Sequence, residues 1–361
     1  MVKIGFIHNV LNINYKLELF NRLNKICIDS NVEFSVIQLA RYEGMRKSIP
    51  SSLQKIDHRF EVVDDGYVEH VSFFKKLKYV YRWIKVEDPN VIVFPGYYDL
   101  SLFFISFWAK FIKKKKVIIG VDNNIPAEES YIKWLIKKFL CNHYDGALLY
   151  GSKIEPYISN LIGQGKPILT GCAFVDIEEI EKIEGISVTK RTVIYIGRIS
   201  EEKGIRHFST ILESISKLGD FKFLVVGDGE DSIKKKYLEP LLEYSSNTFE
   251  FVGAKPWAKA ISYLKGCDIL ILPSDYEPWG LVVNEAIACD TKVIVSNKVG
   301  SSEIVNKYNF GQVVDFNVTT PDELTGILRD VVSQDLYKNK KQYYSSDVPM
   351  DIFIFLKGIC R

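Results

Sequence analysis

The sequence has almost no excess charge: 47 Lys and Arg stand against 45 Asp and Glu, a formal +2 over 361 residues. Proteins that hold nucleic acid through its phosphates carry a larger basic surplus, so no nucleic-acid partner is expected. None of the six cysteines (Cys27, Cys141, Cys172, Cys267, Cys289, Cys360) forms a C-x-x-C pair, and several lie in apolar runs. Reduced, buried thiols in a cytosolic protein are expected, and a zinc site is not. The most apolar run, LSLFFISFWAKF at 100–111, falls far short of the ~20 residues that span a bilayer. The N-terminal MVKIGFIHNV is too short and too polar beyond Val10 for a signal peptide. These gaps predict a cytoplasmic chain that does not cross the membrane. There is no short repeat and no low-complexity tract. The first strand lacks G-x-G-x-x-G, which makes a dinucleotide-dependent dehydrogenase the weakest reading.

What is present is a chain long enough for two domains, each with its own core. About half the residues are hydrophobic and a quarter charged, as in a folded globular protein. The charge is unevenly spread. Residues 1–175 hold 24 Lys and Arg against 17 Asp and Glu, whereas the remainder holds 23 against 28. A basic front half suits an anionic surface or substrate for that half alone.

Short apolar, β-branched runs recur at 2–7, 33–39, 91–96, 116–122 and 146–152, each followed by a helical pattern. The series restarts at 192–198, 222–229, 249–253, 268–274 and 292–297. Near-continuous apolar strands alternating with helices predict parallel sheets covered on both faces. Two such series predict an α/β protein of two doubly wound, Rossmann-like domains facing a cleft. The charged stretch 172–191 between them is the expected hinge. The boundaries expected are 1–175 and 176–345 for the two domains, with an apolar final helix at 346–361.

Three stretches of the second half carry chemistry. In YIGRISEEKGI a strand ends at Gly197, and Arg198 and Lys203 follow on the loop. An Arg fork and a Lys point charge make a diphosphate clamp; the plain alternative is a solvated loop with Arg198 paired to Glu201 or Glu202. In VVGDGE, Gly227 and Gly229 suit either phosphate or, with better odds, a tight turn out of a strand. In SDYEPWGLVVNEAIACD, Pro278 and Gly280 hold back a helix until about Leu281. The free amides of such a helix start form an anion site. Glu277 lies in the loop before it, and Glu285 lies about 6 Å along the axis from Leu281. A ligand with a central diphosphate and a hydroxyl-rich group at each end fits this spacing. The alternative has Glu277 serving the helix dipole and Glu285 on the surface. Apolar neighbours on both sides of Glu285 predict burial, and a buried carboxylate without a partner is costly.

GRISEEKGI, VVGDGE, FVG, DILILPSDYEPWGLVVNEAIAC and VIVSNKVGSSEIV, in this order and spacing, resemble the GT-B-fold retaining glycosyltransferases, whose mark is E-x7-E. The resemblance runs from Thr192 to about Val314. It implies that Arg198 and Lys203 bind the donor diphosphate and that Glu277 contacts the transferred sugar. It further implies that the amides across Trp279, Gly280, Leu281 and Val282, next to Pro278, hold sugar and phosphate, while Glu285 binds the ribose hydroxyls. Gly227, Gly229, Gly253 and Lys255 would border the nucleoside. The implied reaction is sugar transfer with retention from a UDP- or GDP-sugar to a glycan or lipid-linked glycan hydroxyl, as in cell-surface polysaccharide or lipopolysaccharide synthesis. No cofactor is implied and no metal: D-x-D, the metal–diphosphate signature of the other main glycosyltransferase fold, does not occur. Two departures stand out: Asp290 occupies a position where many relatives have Gly, and the loop after the first strand, at 8–15, lacks Gly.

Acceptor-side candidates are therefore read from strand ends: His8, Asn9, Tyr98, Asp99, Asp122 and Asn123. Of these, Asp122 is the best placed for a polar contact or a base, and His8 is as readily structural. Lys and Arg alternate with Trp, Tyr and Phe at 73–85, 107–116 and 131–140. Each stretch alone reads as a packed helix with a solvated Lys face; three in one basic domain predict peripheral association with an anionic membrane surface. A nucleotide-sugar epimerase of the same fold and a catalytically silent nucleotide-sugar-binding protein are the alternatives.

Overall fold

A computed structural model of the chain describes residues 1–10, 14–44, 55–97, 99–122, 129–188, 191–244, 248–334, 340–344 and 347–360. These fall into two compact units. One is built from the described residues up to Phe174 and the C-terminal helix Val348–Ile359; the other runs from Val175.

The first unit is a seven-stranded sheet. Its strands are β1 (Lys3–Val10), β2 (Glu33–Ala40), β3 (Arg59–Val62), β4 (Val91–Pro95), β5 (Lys116–Val121), β6 (Gly146–Leu149) and β7 (Ile168–Leu169). All pair in parallel, in the order β3-β2-β1-β4-β5-β6-β7. The chain alternates strand with helix: α1 (Asn14–Asp29), α2 (Phe73–Glu87), α3 (Leu100–Phe111), α4 (Tyr131–Cys141) and α5 (Glu155–Ile162). Short polar residues start these helices. Ser72 and Ser130 accept backbone amides of α2 and α4, and Asp99 accepts those of Ser101 and Leu102 at the head of α3. Crossovers in such sheets are right-handed. The connections through α2, α3 and α4 all step the same way along the sheet, so these helices share one face. The connection through α1 steps the other way, and α1 packs on the C-terminal helix. Trp83, Phe94, Val117 and Ile119 are fully buried between sheet and helices. Each such side chain contributes about 1.5–3 kcal/mol by leaving water.

The second unit is a six-stranded parallel sheet in the order β10-β9-β8-β11-β12-β13. Its strands are β8 (Arg191–Ile196), β9 (Phe221–Val226), β10 (Phe249–Gly253), β11 (Ile269–Leu272), β12 (Lys292–Ser296) and β13 (Gly311–Val314). Its helices are α6 (Ile177–Lys182), α7 (Phe208–Ser216), α8 (Asp231–Tyr237), α9 (Trp257–Gly266), α10 (Leu281–Ala288), α11 (Ser302–Tyr308), α12 (Pro321–Ser333) and α13 (Lys340–Tyr343). Its strand order reverses between β8 and β11. That is the switch point, where open α/β sheets bind ligands beyond the strand ends. Arg198 and Lys203 follow β8, and Glu277 and Glu285 follow β11.

Candidate active site

Beyond β8 the chain turns at Gly197, whose amide donates to the Val226 carbonyl at 3.1 Å. A short turn, Glu201–Lys203, then carries Lys203 back under β11. Lys203 is 8% exposed, and its Nζ donates to Glu277 Oε2 at 2.7 Å. The implied diphosphate cation and the implied sugar contact thus meet directly. Both are largely withdrawn from water, so each is the other's countercharge. Arg198 lies on the same loop and pairs with Glu202 at 2.5 Å, the alternative foreseen from the sequence. Its backbone carbonyl accepts the Tyr195 hydroxyl at 2.6 Å.

The loop from Ser274 to Gly280 is braced from both sides. Arg206 grips the Asp275 carboxylate with two bonds of 2.8 and 2.7 Å, and hydrogen bonding to that guanidinium holds the carboxyl below its ordinary range. The amides of Gly300 and Ser301 donate to the carbonyls of Glu277 and Trp279 at 3.1 and 2.8 Å. Gly280 takes φ +84°, and α10 begins at Leu281, where the Pro and Gly of the sequence place it. Among the described residues, the Leu281 and Val282 amides have no hydrogen-bond acceptor, leaving donors at a helix start. The Trp279 ring is buried, and its Nε1 donates to Asn284 Oδ1 at 2.9 Å. It anchors the loop to the first turns of α10. Asn284 in turn donates to the Tyr343 hydroxyl and accepts at its carbonyl from Tyr344, at 2.9 Å.

Glu285 is half-buried rather than buried as its apolar neighbours predict, and it has a protein partner the sequence did not reveal: its Oε1 accepts the Trp257 Nε1–H at 2.8 Å. Burial raises its pKa above the ordinary value, and the Trp257 bond pulls the other way. Oε2 has no protein donor among the described residues. Trp257 begins α9, just after Gly253 and Lys255, so its indole ties that turn to Glu285. Lys255 is half-buried and forms no ion pair among the described residues.

VVGDGE is a tight turn. A Cβ on Gly227 would lie 1.8 Å from the Gly197 carbonyl oxygen, and one on Gly229 would lie 2.0 Å from that of Ile199. The glycines let the two loops lie against each other. Gly253 takes φ +72° and accepts the Gly227 amide at 3.1 Å.

In the first unit, β1 runs three residues further than the apolar run predicts, so His8 and Asn9 are strand residues. The His8 ring accepts the Val10 amide at 3.2 Å and lies edge-on to Phe20. Asp99 caps α3 and pairs with Lys76 at 2.7 Å; burial would raise its pKa, but the bonds from Lys76 and Ser101 outweigh this and lower it. Asp122 is exposed just beyond β5. Tyr98 and Asn123 lie outside the described residues.

Residues 176–346 match the family described as Glycosyl transferases group 1. The second unit is a group 1 glycosyltransferase domain. This glycosyltransferase domain has a relative in the 2-deoxystreptamine N-acetyl-D-glucosaminyltransferase of Niallia circulans, 31% identical over 122 residues, or 32% of this chain and 30% of that protein. The chain spans about a third of the length of the curated relatives it matches. Among solved structures, HepE of Anabaena in complex with UDP gives a TM-score of 0.71 at 16% identity, covering 99% of this chain and 100% of that one. UDP-GlcNAc 2-epimerase from Methanocaldococcus jannaschii gives 0.67 at 13% identity, covering 99% and 100%. At these identities the likeness is one of fold. It is the GT-B fold: two parallel α/β units in one chain.

Proposed function

We propose that this group 1 glycosyltransferase moves a sugar from a UDP- or GDP-sugar to a hydroxyl of a glycan or lipid-linked glycan, with retention and without a metal. The observation that carries the reading is the Lys203–Glu277 pair, set beside unpartnered amides at the start of α10. A diphosphate fits against Lys203, Arg198 and those amides, with Glu277 at its sugar end and Glu285 Oε2 at its ribose end. The main task in such a transfer is to hold the charge that grows on the leaving diphosphate, and preorganised cations and amides do this. In the same-face route, the bond from the anomeric carbon to the diphosphate oxygen breaks as the acceptor oxygen bonds to that carbon. The acceptor proton passes to the departing diphosphate, and the anomeric configuration is kept.

An anionic membrane surface completes the proposal. Helices α3 and α4 contain no Asp or Glu. They expose Phe104 (54%), Phe107 (48%), Phe111 (52%), Ile132 (70%) and Phe139 (82%). Such a face suits a headgroup layer with acyl chains beneath. Among the described residues no helix is long and apolar enough to cross a membrane.

The epimerase alternative rests on the shared fold. A thermal-shift panel of UDP- and GDP-sugars, followed by assays of the hits with and without a hydroxyl acceptor, separates the readings. Transfer that keeps the anomeric configuration is expected. Conversion of one nucleotide sugar into another without acceptor would make the protein an epimerase. Binding without any turnover would make it a silent binder, and stabilisation by no nucleotide sugar would overturn the donor site.

A further inference from the structure

The first unit holds a cation that the donor chemistry leaves unused. Lys16 lies in the first turn of α1, half-buried, at the carboxyl edge of the sheet. Its Nζ sits 4.8 Å from the centroid of the Tyr150 ring and 5.8 Å from that of Tyr15. Tyr150 follows β6 and is 7% exposed, with Tyr15 close to its ring hydroxyl. Among the described residues no carboxylate comes within ion-pair distance of Lys16. Burial lowers its pKa; Asp122, just beyond β5, and Cys172 counter this only through space. Ring faces steady an ammonium but bring no countercharge. Other part-buried lysines of this unit have one: Lys76 has Asp99 and Lys115 has Asp88, both at 2.7 Å. A half-buried ammonium set against two phenol rings, with no counter-ion among the described residues, is built to receive an anion from outside.

We propose that Lys16, with Tyr15 and Tyr150, forms a subsite for an anionic group on the acceptor, a phosphate or a sugar carboxylate, with Asp122 beside it to accept a hydroxyl. This rests on the transferase reading above and narrows its acceptor to anionic glycans or lipid-phosphate-linked ones. The charge is read by Lys16 and the neighbouring hydroxyl by Asp122. A neutral sugar of the same shape loses the first contact.

The test uses the full chain with its lysines reductively methylated with carbon-13 and followed by NMR. The Lys16 signal is identified by its loss in Lys16→Arg, which keeps the charge. Methyl phosphate, methyl glucuronide, uncharged methyl glucoside and UDP are titrated separately. The Lys16 signal is expected to move saturably with methyl phosphate or methyl glucuronide, and whichever acts shows which anion is read. It is expected to stay put with methyl glucoside, while UDP moves other lysine signals. A Lys16 signal unmoved by both anions overturns the subsite, and one moved by UDP alone assigns Lys16 to the donor. If UDP moves no lysine signal while an anion moves Lys16, the donor reading fails and the anion subsite stands.

Discussion

Glu277 and Lys203 neutralise each other at 2.7 Å with little water access, so a change at either leaves a stranded charge. Glu277→Gln is expected to lower transfer at least ~100-fold, by losing the sugar contact and disturbing the cation that faces the diphosphate. It also removes half of a buried pair, so a stability loss of about 3 kcal/mol is expected in chemical denaturation. The double change Lys203→Met with Glu277→Met separates the two effects. An apolar pair in place of a buried ion pair restores stability, and transfer stays lost. Recovery of transfer in the double variant would show that the pair only holds the loop. Glu285 gives a second prediction. In the proposed reading its carboxylate accepts ribose hydroxyls best when ionised, and its folded pKa lies above the ordinary 4.5. Donor affinity should therefore weaken as pH falls through that raised value. The sign for folding is opposite: the protonated form is favoured in the folded state, so this group destabilises the fold above the raised pKa and ceases to do so below the ordinary one. Trp257→Phe removes the bond that counters burial, so the acid limb of donor binding should move to higher pH. A calorimetric affinity series between pH 5 and 8 checks it, and an unshifted limb would sink the Trp257 role. The two carboxylates were legible in the sequence because Pro278 and Gly280 set one in a loop and a helix set the other a turn away. Trp257 was not, because its bond to Glu285 spans 28 residues and is made by tertiary folding alone.

At the scale of elements, the start of α10 decides where the proposed diphosphate would sit. The sequence places that start correctly because Pro and Gly act through local backbone sterics, which need no neighbours. The edges of the sheets were illegible for the opposite reason. β3, β7 and β13, absent from the ten strands expected, have only two to four residues, lie at sheet edges and are incompletely buried. Their pairing comes from a preceding strand, so an apolar run does not announce them. Gly280 tests the importance of the helix start. It holds φ +84°, and an added Cβ would approach Leu272 Cδ2 at 3.1 Å and Glu277 Cγ at 3.2 Å. Gly280→Ala is expected to cost about 1–2 kcal/mol of stability from the left-handed backbone alone. It should also raise the donor KM by turning the amides and Glu277 out of register. A variant that melts lower yet binds nucleotide sugar as before would detach the helix start from the site.

For the whole molecule, the excess of basic residues in the first half gains direction from the structure. The sequence shows three aromatic, Lys-rich stretches and cannot say which way their rings point. The first, in α2, is divided: Val80, Trp83 and Ile84 are buried, while Phe73, Phe74 and Tyr81 are exposed. The second and third expose Phe107, Phe111, Tyr131 and Phe139, while Trp108 and Trp134 pack against the core. Right-handed crossovers put all three helices on one face of the sheet, so the exposed rings and the lysines Lys113, Lys114, Lys133 and Lys138 belong to a single face. Binding there has two parts with different signatures. The lysines act through the headgroup field, which salt shortens from ~10 Å at 0.1 M to ~3 Å at 1 M. The rings act by insertion, which salt does not screen. Co-sedimentation with vesicles of mixed anionic and neutral lipid is therefore expected, falling with added salt to a residual set by the rings. Replacing Phe107, Phe111 and Phe139 together by Ser should lower the partition coefficient by about a thousandfold at every salt concentration, at ~1.5 kcal/mol per inserted ring. Donor binding in the second unit should be unchanged, because these rings belong to the other sheet. Equal binding to neutral vesicles, or a triple Ser variant that sediments like the parent, would remove the membrane from the proposal and leave the donor site untouched.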